Sequence, residues 1–395
     1  MSGEREARPV GMRVMHIITR MILGGAQENT LLTVEGLRAR GHEVVLVTGP
    51  TIGPEGDLLR RAQERGVATV VVGSMRRAIN PVRDALAFVK LIGIIRRFKP
   101  DVVHTHSSKA GILGRLAARV CRVPMVVHTV HGLAFHRYQC APVNWMYIAL
   151  ERWCARYTTK IICVADAMTE EAVAARVAKR EKFVTVYSGM EVGPFLEASK
   201  HREQVRKELG IGPDELVVGK VARLSDLKGH RYLFEAIPEV LERFPRTRFV
   251  MVGDGWLTEE LKRRAQEMGI TERVIFTGLV SPARISELLG GMDVVVHTSL
   301  REGLARVLPQ ALIAGVPVVS YDVDGAREVV IDGETGYLVK PKAVGELAEA
   351  MCKLLESPEL REKMGRAGRG LCSERFRTEK MVEDIARVYN LSSTR

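Results

Sequence analysis

The chain has 395 residues, of which 46% are apolar and 27% charged; that length suits two domains better than one core, and that composition excludes a disordered chain. The formal charge of +12 is uneven: residues 1–190 hold 28 Lys and Arg against 15 Asp and Glu, and the remainder 31 against 32. The excess on the N-terminal half points to an anionic partner there, either a membrane surface, a pyrophosphate or nucleic acid.

The first residues, MSGEREARPVGMR, carry charges but no apolar stretch, so they read as a frayed tail and not a secretory signal. Val14 to Thr19 and Glu43 to Thr48 are strand-like, with a helical pattern from about Ala26 to Arg40 between them, ended by Gly41. Strand signals continue at Val67 to Val72, Val102 to His104, Met125 to Thr129 and Lys160 to Val164, with helices at Pro81 to Phe98 and Ala110 to Val120. Near Ser188 to Ser199 the alternation stops in Gly, Pro and small residues, as in a linker. It restarts with strands at Leu216 to Val221, Arg248 to Val252, Arg273 to Phe276, Val294 to Val296 and Val316 to Ser320, and helices at Tyr232 to Phe244 and Leu257 to Met268. Glu374 to Leu391 reads as an amphipathic helix. The expected layout is a first α/β domain over 1–190, a linker over 191–200, a second α/β domain over 201–375 and a terminal helix over 376–395.

Six scattered cysteines with no CxxC pair fit reduced thiols in the cytosol. No apolar run reaches the roughly 18 residues that span a bilayer. Nucleic acid is not an expected partner, because aromatics are only 5% and no recognition motif is present. No Walker loop supports an ATPase.

The chemistry gathers where strands run into helices, since ligands of parallel sheets sit at the carboxyl ends of strands. Arg223 and Lys228 lie five apart after the strand ending at Val221, placed to converge on one pyrophosphate. Gly24 and Gly25 open the first helix and let backbone approach a ligand. Gly253 and Asp254 end another strand, without the full dinucleotide fingerprint. Ser107, Ser108 and Lys109 begin a helix and form a candidate anion cradle. His104, His106, His128, His131 and His136 cluster in the first half; no carboxylate or Cys completes a metal set, and His104 and His128 are expected to be packed strand-end residues. Arg76 and Arg77 precede the helix Pro81 to Phe98, and Arg96, Arg97 and Lys99 close it; its apolar residues are expected mostly in the core, with the cations toward anionic lipid. The segment Arg301 to Ala311 follows an apolar strand with a Glu-Gly turn, setting Glu302 and the Gly303 backbone at the sheet edge and Gln310 two turns into the next helix. Pro309 then has to lie in a first turn.

Glu302 and Gln310, with seven residues between them, resemble the Glu-x7-Glu motif of retaining family-4 glycosyltransferases, with Gln in place of the second acid. Arg223-x4-Lys228-Gly229 resembles that family's Arg-x4-Lys-Gly, Gly24-Gly25-Ala26 its diglycine turn, and His131-Gly132 its His-Gly, all in the family's order. The resemblance implies the GT-B fold, α/β, with two facing Rossmann-like doubly wound domains and a C-terminal helix crossing back to the first. It implies a retaining, metal-independent hexosyltransferase that uses a nucleotide-diphosphate sugar, a UDP-sugar by resemblance, as co-substrate and needs no other cofactor. Catalytic roles fall to Glu302, His131, Arg223 and Lys228. Donor contacts fall to Gly24, Gly25, Arg223, Lys228, Gly253, Asp254, Gly303, Leu304, Ala305 and Gln310. Ser107, Ser108, Lys109 and His131 would meet the acceptor, a glycan or polyprenyl-pyrophosphate-linked sugar of bacterial surface polysaccharide synthesis. The expected location is cytoplasmic, peripheral on the anionic inner face of the plasma membrane. A sugar-nucleotide epimerase of related fold and a donor-binding protein with lost catalysis are the alternatives.

Overall fold

A computed structural model describes residues 11–51 and 58–393. The expected frayed tail lies outside the described residues as far as Val10. Arg13, which the same reading placed in the tail, already belongs to the first strand.

Two compact units result, one formed by the described residues up to Met190 together with those from Thr378, the other by Glu191–Arg377. The first holds a seven-stranded parallel sheet of β1 (Arg13–Ile18), β2 (Glu43–Thr48), β3 (Ala68–Val71), β4 (Val102–His106), β5 (Met125–Val130), β6 (Lys160–Cys163) and β7 (Phe183–Thr185), in the order β3-β2-β1-β4-β5-β6-β7. The second holds a six-stranded parallel sheet of β8 (Leu216–Val221), β9 (Thr247–Val252), β10 (Val274–Gly278), β11 (Val294–His297), β12 (Val318–Tyr321) and β13 (Gly336–Val339), in the order β10-β9-β8-β11-β12-β13. Both are doubly wound α/β sheets. Their order reverses between β1 and β4 in one and between β8 and β11 in the other, which is where such sheets open a ligand crevice.

Apolar runs buried on both faces make these strands. Every residue of β4 and of β11 is buried, as parallel sheets covered by helices on both sides require. Alternate residues of β1 feed opposite faces: Val14 and Ile18 join one cluster with Leu31 and Leu37, whereas Met15 and Ile17 join another with Leu91 and Ile95. The first of these clusters also contains Met381, Val382, Ile385 and Tyr389 from the terminal helix Thr378–Ser393. That helix therefore belongs to the N-terminal unit although the whole second unit separates them in sequence.

Two expectations change. Residues 191–200 are not an open linker: Gly193–Leu196 and Ala198–His201 form two short helical turns, with Phe195 and Ala198 buried in the second unit. Pro194 sets the first turn and the apolar pair anchors both. The helix Pro81–Phe98 turns most of its apolar residues inward, as expected, with Phe88, Ile92, Ile94 and Phe98 packed against the buried cluster, but it also carries an outward stripe. It buries Ala87, Leu91 and Ile95, an i, i+4 stripe, while Val82, Leu86 and Val89 form a second stripe, 70%, 52% and 65% exposed. Finally, β13 is a short strand at the sheet edge that the apolar pattern did not announce. Among the described residues no helix is long and apolar enough to cross a membrane.

Candidate functional site

In the C-terminal unit, β8 runs into the loop that carries Arg223 and Lys228. Gly229 closes it with φ +64, and a Cβ there would lie 2.0 Å from the Thr298 carbonyl oxygen, so only glycine fits. Thr298 Oγ1 donates to the Gly229 carbonyl at 2.8 Å. The loop after β8 is thereby clamped onto the end of β11, and Lys228 Nζ forms an ion pair with Glu302 Oε1. The Glu302 backbone N–H donates to Asp324 Oδ2 at 2.5 Å, and His297 Nε2 lies 3.6 Å from the Glu302 carboxylate. Burial alone would raise the Glu302 pKa, but the Lys228 ammonium and His297 hold it well below the usual carboxylate range. The site thus presents a fixed carboxylate.

Lys220 is buried in β8 and donates from Nζ to Thr298 Oγ1 at 2.6 Å. Burial, helped by the Lys228 charge and opposed by that of Glu302, lowers its pKa to about 7. His230 Nε2 lies 2.9 Å from the Arg223 carbonyl oxygen. Because a carbonyl only accepts, Nε2 carries the proton. Burial pulls the His230 pKa down to about 3, so the ring is neutral while it fixes the Arg223 backbone.

Gly253 has φ +129 and packs against the Ala222 carbonyl, 2.2 Å from its ideal Cβ position. The Leu224 N–H donates to the Asp254 carbonyl at 3.0 Å. Loops after β8 and β9 are therefore packed backbone to backbone. The Asp254 carboxylate accepts from the Gly255 N–H at 2.7 Å and the Thr258 hydroxyl at 2.6 Å, which hold its pKa below the usual value. Its side chain secures the turn into the helix Thr258–Glu267.

Residues 301–306 remain non-helical, with Gly303 and Ala305 buried and Leu304 half-buried. The Gly303 carbonyl accepts from the Gly325 N–H at 3.1 Å. The following helix is Val307–Ile313. Gln310 is thus in its first turn and not two turns in, because the helix starts later than the sequence pattern suggested. Pro309 takes the third position, where its missing N–H is harmless.

In the N-terminal unit the corresponding strand ends belong to β1, β4 and β5. Gly24 precedes the helix Gly25–Ala39, and its carbonyl accepts from the Glu28 N–H at 2.9 Å. Ser107 precedes the helix Ser108–Val120 with φ 61 and ψ 161, an unusual conformation for a residue with a side chain. Thr19 holds it in place: its Oγ1 is 2.8 Å from Ser107 Oγ and accepts from the Ala110 N–H at 3.2 Å. The Lys109 ammonium is paired with Asp84 Oδ1 at 2.7 Å.

A cavity of about 280 Å³ in this unit is lined by Ser107, Ser108, His131, Phe135 and Glu151 among others. His131 Nε2 lies 3.1 Å from His106 Nδ1, and His106 Nε2 lies 2.9 Å from His16 Nδ1. His104 places one nitrogen 2.7 Å from Tyr389 Oη and the other 2.7 Å from Thr129 Oγ1. His128 is buried with Nδ1 2.9 Å from Thr105 Oγ1. His104 and His128 are packed strand residues, as expected.

The sequence reading missed Lys220, His297, Asp324, Thr19 and His16. Lys220 had a signal, as the lone charge inside the apolar run Leu216–Val221. Asp324 and Thr19 had none, because their partners are distant in sequence.

Known proteins fit this layout. Residues 24–189 match the family described as Glycosyl transferase 4-like domain, and residues 201–371 the family Glycosyl transferases group 1. The chain is 30% identical to the putative glycosyltransferase EpsD of Bacillus subtilis over 326 residues, which cover 80% of this chain and 83% of that protein. The chain belongs to the GT-B glycosyltransferases. This glycosyltransferase is also 29% identical, over 96% of both chains, to an Escherichia coli protein named UDP-Gal:alpha-D-GlcNAc-diphosphoundecaprenol alpha-1,3-galactosyltransferase. Its fold matches Anabaena HepE, solved in complex with UDP and glucose, with a TM-score of 0.83 at 21% identity over 96% of this chain and 99% of that one.

Proposed function

We propose that this glycosyltransferase is a retaining, metal-independent family-4 enzyme. It transfers a hexose from a UDP-sugar to a polyprenyl-diphosphate-linked glycan in bacterial surface polysaccharide synthesis. The observation that carries the reading is the Lys228–Glu302 pair, set at neighbouring strand ends of the C-terminal unit, with Arg223 on the same loop as Lys228. The name of the E. coli relative supports the substrate class.

In this reading the C-terminal unit takes the donor. Arg223 and Lys228 neutralise the diphosphate as the bond from the anomeric carbon to its oxygen breaks. Backbone N–H groups from Gly303 to Ala305 add to that stabilisation, and Gln310 receives the ribose. Glu302, kept ionised, holds the sugar hydroxyls and favours the positive charge that develops on the ring. The acceptor hydroxyl oxygen bonds to the anomeric carbon on the face the diphosphate leaves, and its proton passes to the departing phosphate oxygen. The two cations supply the charge that a metal provides elsewhere. Gly24, Gly25 and Gly253 allow close backbone approach to the donor, and Asp254 shapes its loop. The N-terminal unit takes the acceptor through Ser107, Ser108, Lys109 and His131.

The enzyme works at an anionic cytoplasmic membrane surface. Support comes from the basic balance of residues 1–190 and from the exposed stripe of Val82, Leu86 and Val89, with Arg83 and Lys90 on the same helix.

The test is incubation with a panel of UDP-sugars and a polyprenyl-diphosphate-linked acceptor in the presence of a chelator, following UDP release, product mass and anomeric configuration. The expected product is an acceptor one hexose heavier with the donor's configuration. An altered sugar formed without acceptor would favour the epimerase, and donor binding without turnover a module with lost catalysis.

A further inference from the structure

His16, His106 and His131 form a row of hydrogen-bonded imidazoles that runs from β1 across β4 to the end of β5. His16 and His106 are both fully buried. The spacing between His16 Nδ1 and His106 Nε2 is 2.9 Å, and that between His106 Nδ1 and His131 Nε2 is 3.1 Å. Burial lowers the His16 pKa to about 3 and that of His106 well below its ordinary value, the latter helped by neighbouring imidazoles. Both rings are therefore neutral, with one N–H and one lone pair each.

His16, His104 and His106 bring three ring nitrogens within 4.8 Å of one another. Nitrogens that share a tetrahedral metal stand about 3.4 Å apart, as metal–nitrogen bonds of about 2.1 Å require. The 2.9 Å contact is shorter, and both nitrogens of His104 are already within reach of hydroxyls. The cluster is a hydrogen-bonded one.

Each contact in the row holds one proton, so the row has two polarities. If protons point from His131 toward His16, then His16 must carry its own proton on Nε2. That atom is buried and has no partner. If they point the other way, the unpartnered group is a lone pair. A buried N–H without an acceptor is the rarer and costlier defect.

We infer that the row is polarised from His16 through His106 to His131, which makes His16 and His106 positioning residues that hold His131 as its Nδ1–H tautomer. His131 then donates through Nδ1, and its Nε2 is an acceptor already filled by His106. Only the step from tautomer to substrate rests on the proposed transfer reaction; the tautomer itself does not.

Long-range ¹H–¹⁵N spectra of the full chain labelled at histidine read the tautomers directly. The expected result is a proton on Nδ1 of His16, His106 and His131. His106→Leu should redistribute the His131 proton toward Nε2 and lower kcat about 10-fold, the worth of one hydrogen bond, with the donor KM unchanged. His106→Asn, whose amide N–H stands where Nδ1–H was, should restore the tautomer and most of the rate. A wild-type His131 protonated on Nε2, equal rates for the Leu and Asn variants, or stoichiometric zinc in the purified protein would each overturn the inference. Should the Leu variant not fold, the wild-type spectrum and the Asn variant decide. The expected tautomers with no sugar transferred from any donor would count against the transfer reaction and leave the inference standing.

Discussion

Lys220 donates from its buried Nζ to Thr298 Oγ1 at 2.6 Å, and the same hydroxyl donates to the carbonyl of Gly229, the residue after Lys228, at 2.8 Å. Burial brings the Lys220 pKa from 10.5 down to about 7 in the folded protein. Between these values the unfolded chain binds the extra proton and the folded chain does not, so stability rises with pH across that window and the penalty is complete below about pH 7. Lys220→Met removes the effect. Urea unfolding from pH 7 to 10 should show the wild type gaining stability relative to the variant. A constant difference across that range would mean that the lysine keeps its proton in the fold.

Glu302→Gln keeps the shape of the side chain and removes its charge. Turnover should fall on the order of 10²-fold, as for loss of one electrostatic contact to the transition state, while calorimetry shows UDP-sugar affinity within a few-fold. Loss of donor binding in the same proportion would instead assign the carboxylate to ground-state recognition.

Gln310 lies in the first turn of the helix Val307–Ile313. Exchanging its amide for a carboxylate alters one hydrogen bond, worth about 1 kcal/mol. Gln310→Glu should therefore stay active, with the donor KM changed by less than about 10-fold. Abolished turnover would mean that the pocket depends on the amide's N–H.

Lys109 is held by Asp84 at 2.7 Å. Lys109→Ala should raise the acceptor KM about 10-fold, the worth of one charge-assisted hydrogen bond, and leave the donor KM alone. Asp84→Asn loosens the ammonium without deleting it and should have a smaller effect in the same direction. Equal losses for donor and acceptor would remove Lys109 from acceptor binding.

Val82 and Val89 are 70% and 65% exposed on a helix that also carries Arg83 and Lys90. Co-sedimentation with phosphatidylglycerol vesicles should be strong at low salt and weaken as salt rises, since each cation contributes about 1 kcal/mol near the surface. The double substitution Val82→Asp and Val89→Asp should abolish it without changing thermal stability. Unchanged sedimentation would exclude this face from lipid contact.

The alternation of buried apolar runs with helical periods made both sheets legible, because parallel strands covered on both faces need continuous apolar stretches. Glu302, Arg223 and Lys228 were legible because they follow strand-like apolar runs and keep the spacings of a known family's motifs. What escaped was whatever depends on the fold bringing distant residues together. Thr19 supports Ser107 from the loop that follows the neighbouring strand β1, and Asp324 meets the Glu302 N–H from another loop. The outward stripe of the helix Pro81–Phe98 escaped for a different reason: an apolar residue has the same identity whether it faces a core or something outside the chain.

The helix Thr378–Ser393 fills part of the N-terminal unit's core, and Tyr389 reaches His104 at 2.7 Å. During synthesis that core stays incomplete until Thr378–Ser393 has been added, after every residue of the second unit has been joined to the chain. The order of birth along the chain is therefore not the order of completion, and the earlier-made half finishes last. A premature stop that removed only this helix would spare every strand of the second unit and still strip Met381, Val382, Ile385 and Tyr389 from the first. Translation as far as Tyr389 is thus itself a condition for completing the N-terminal unit's core.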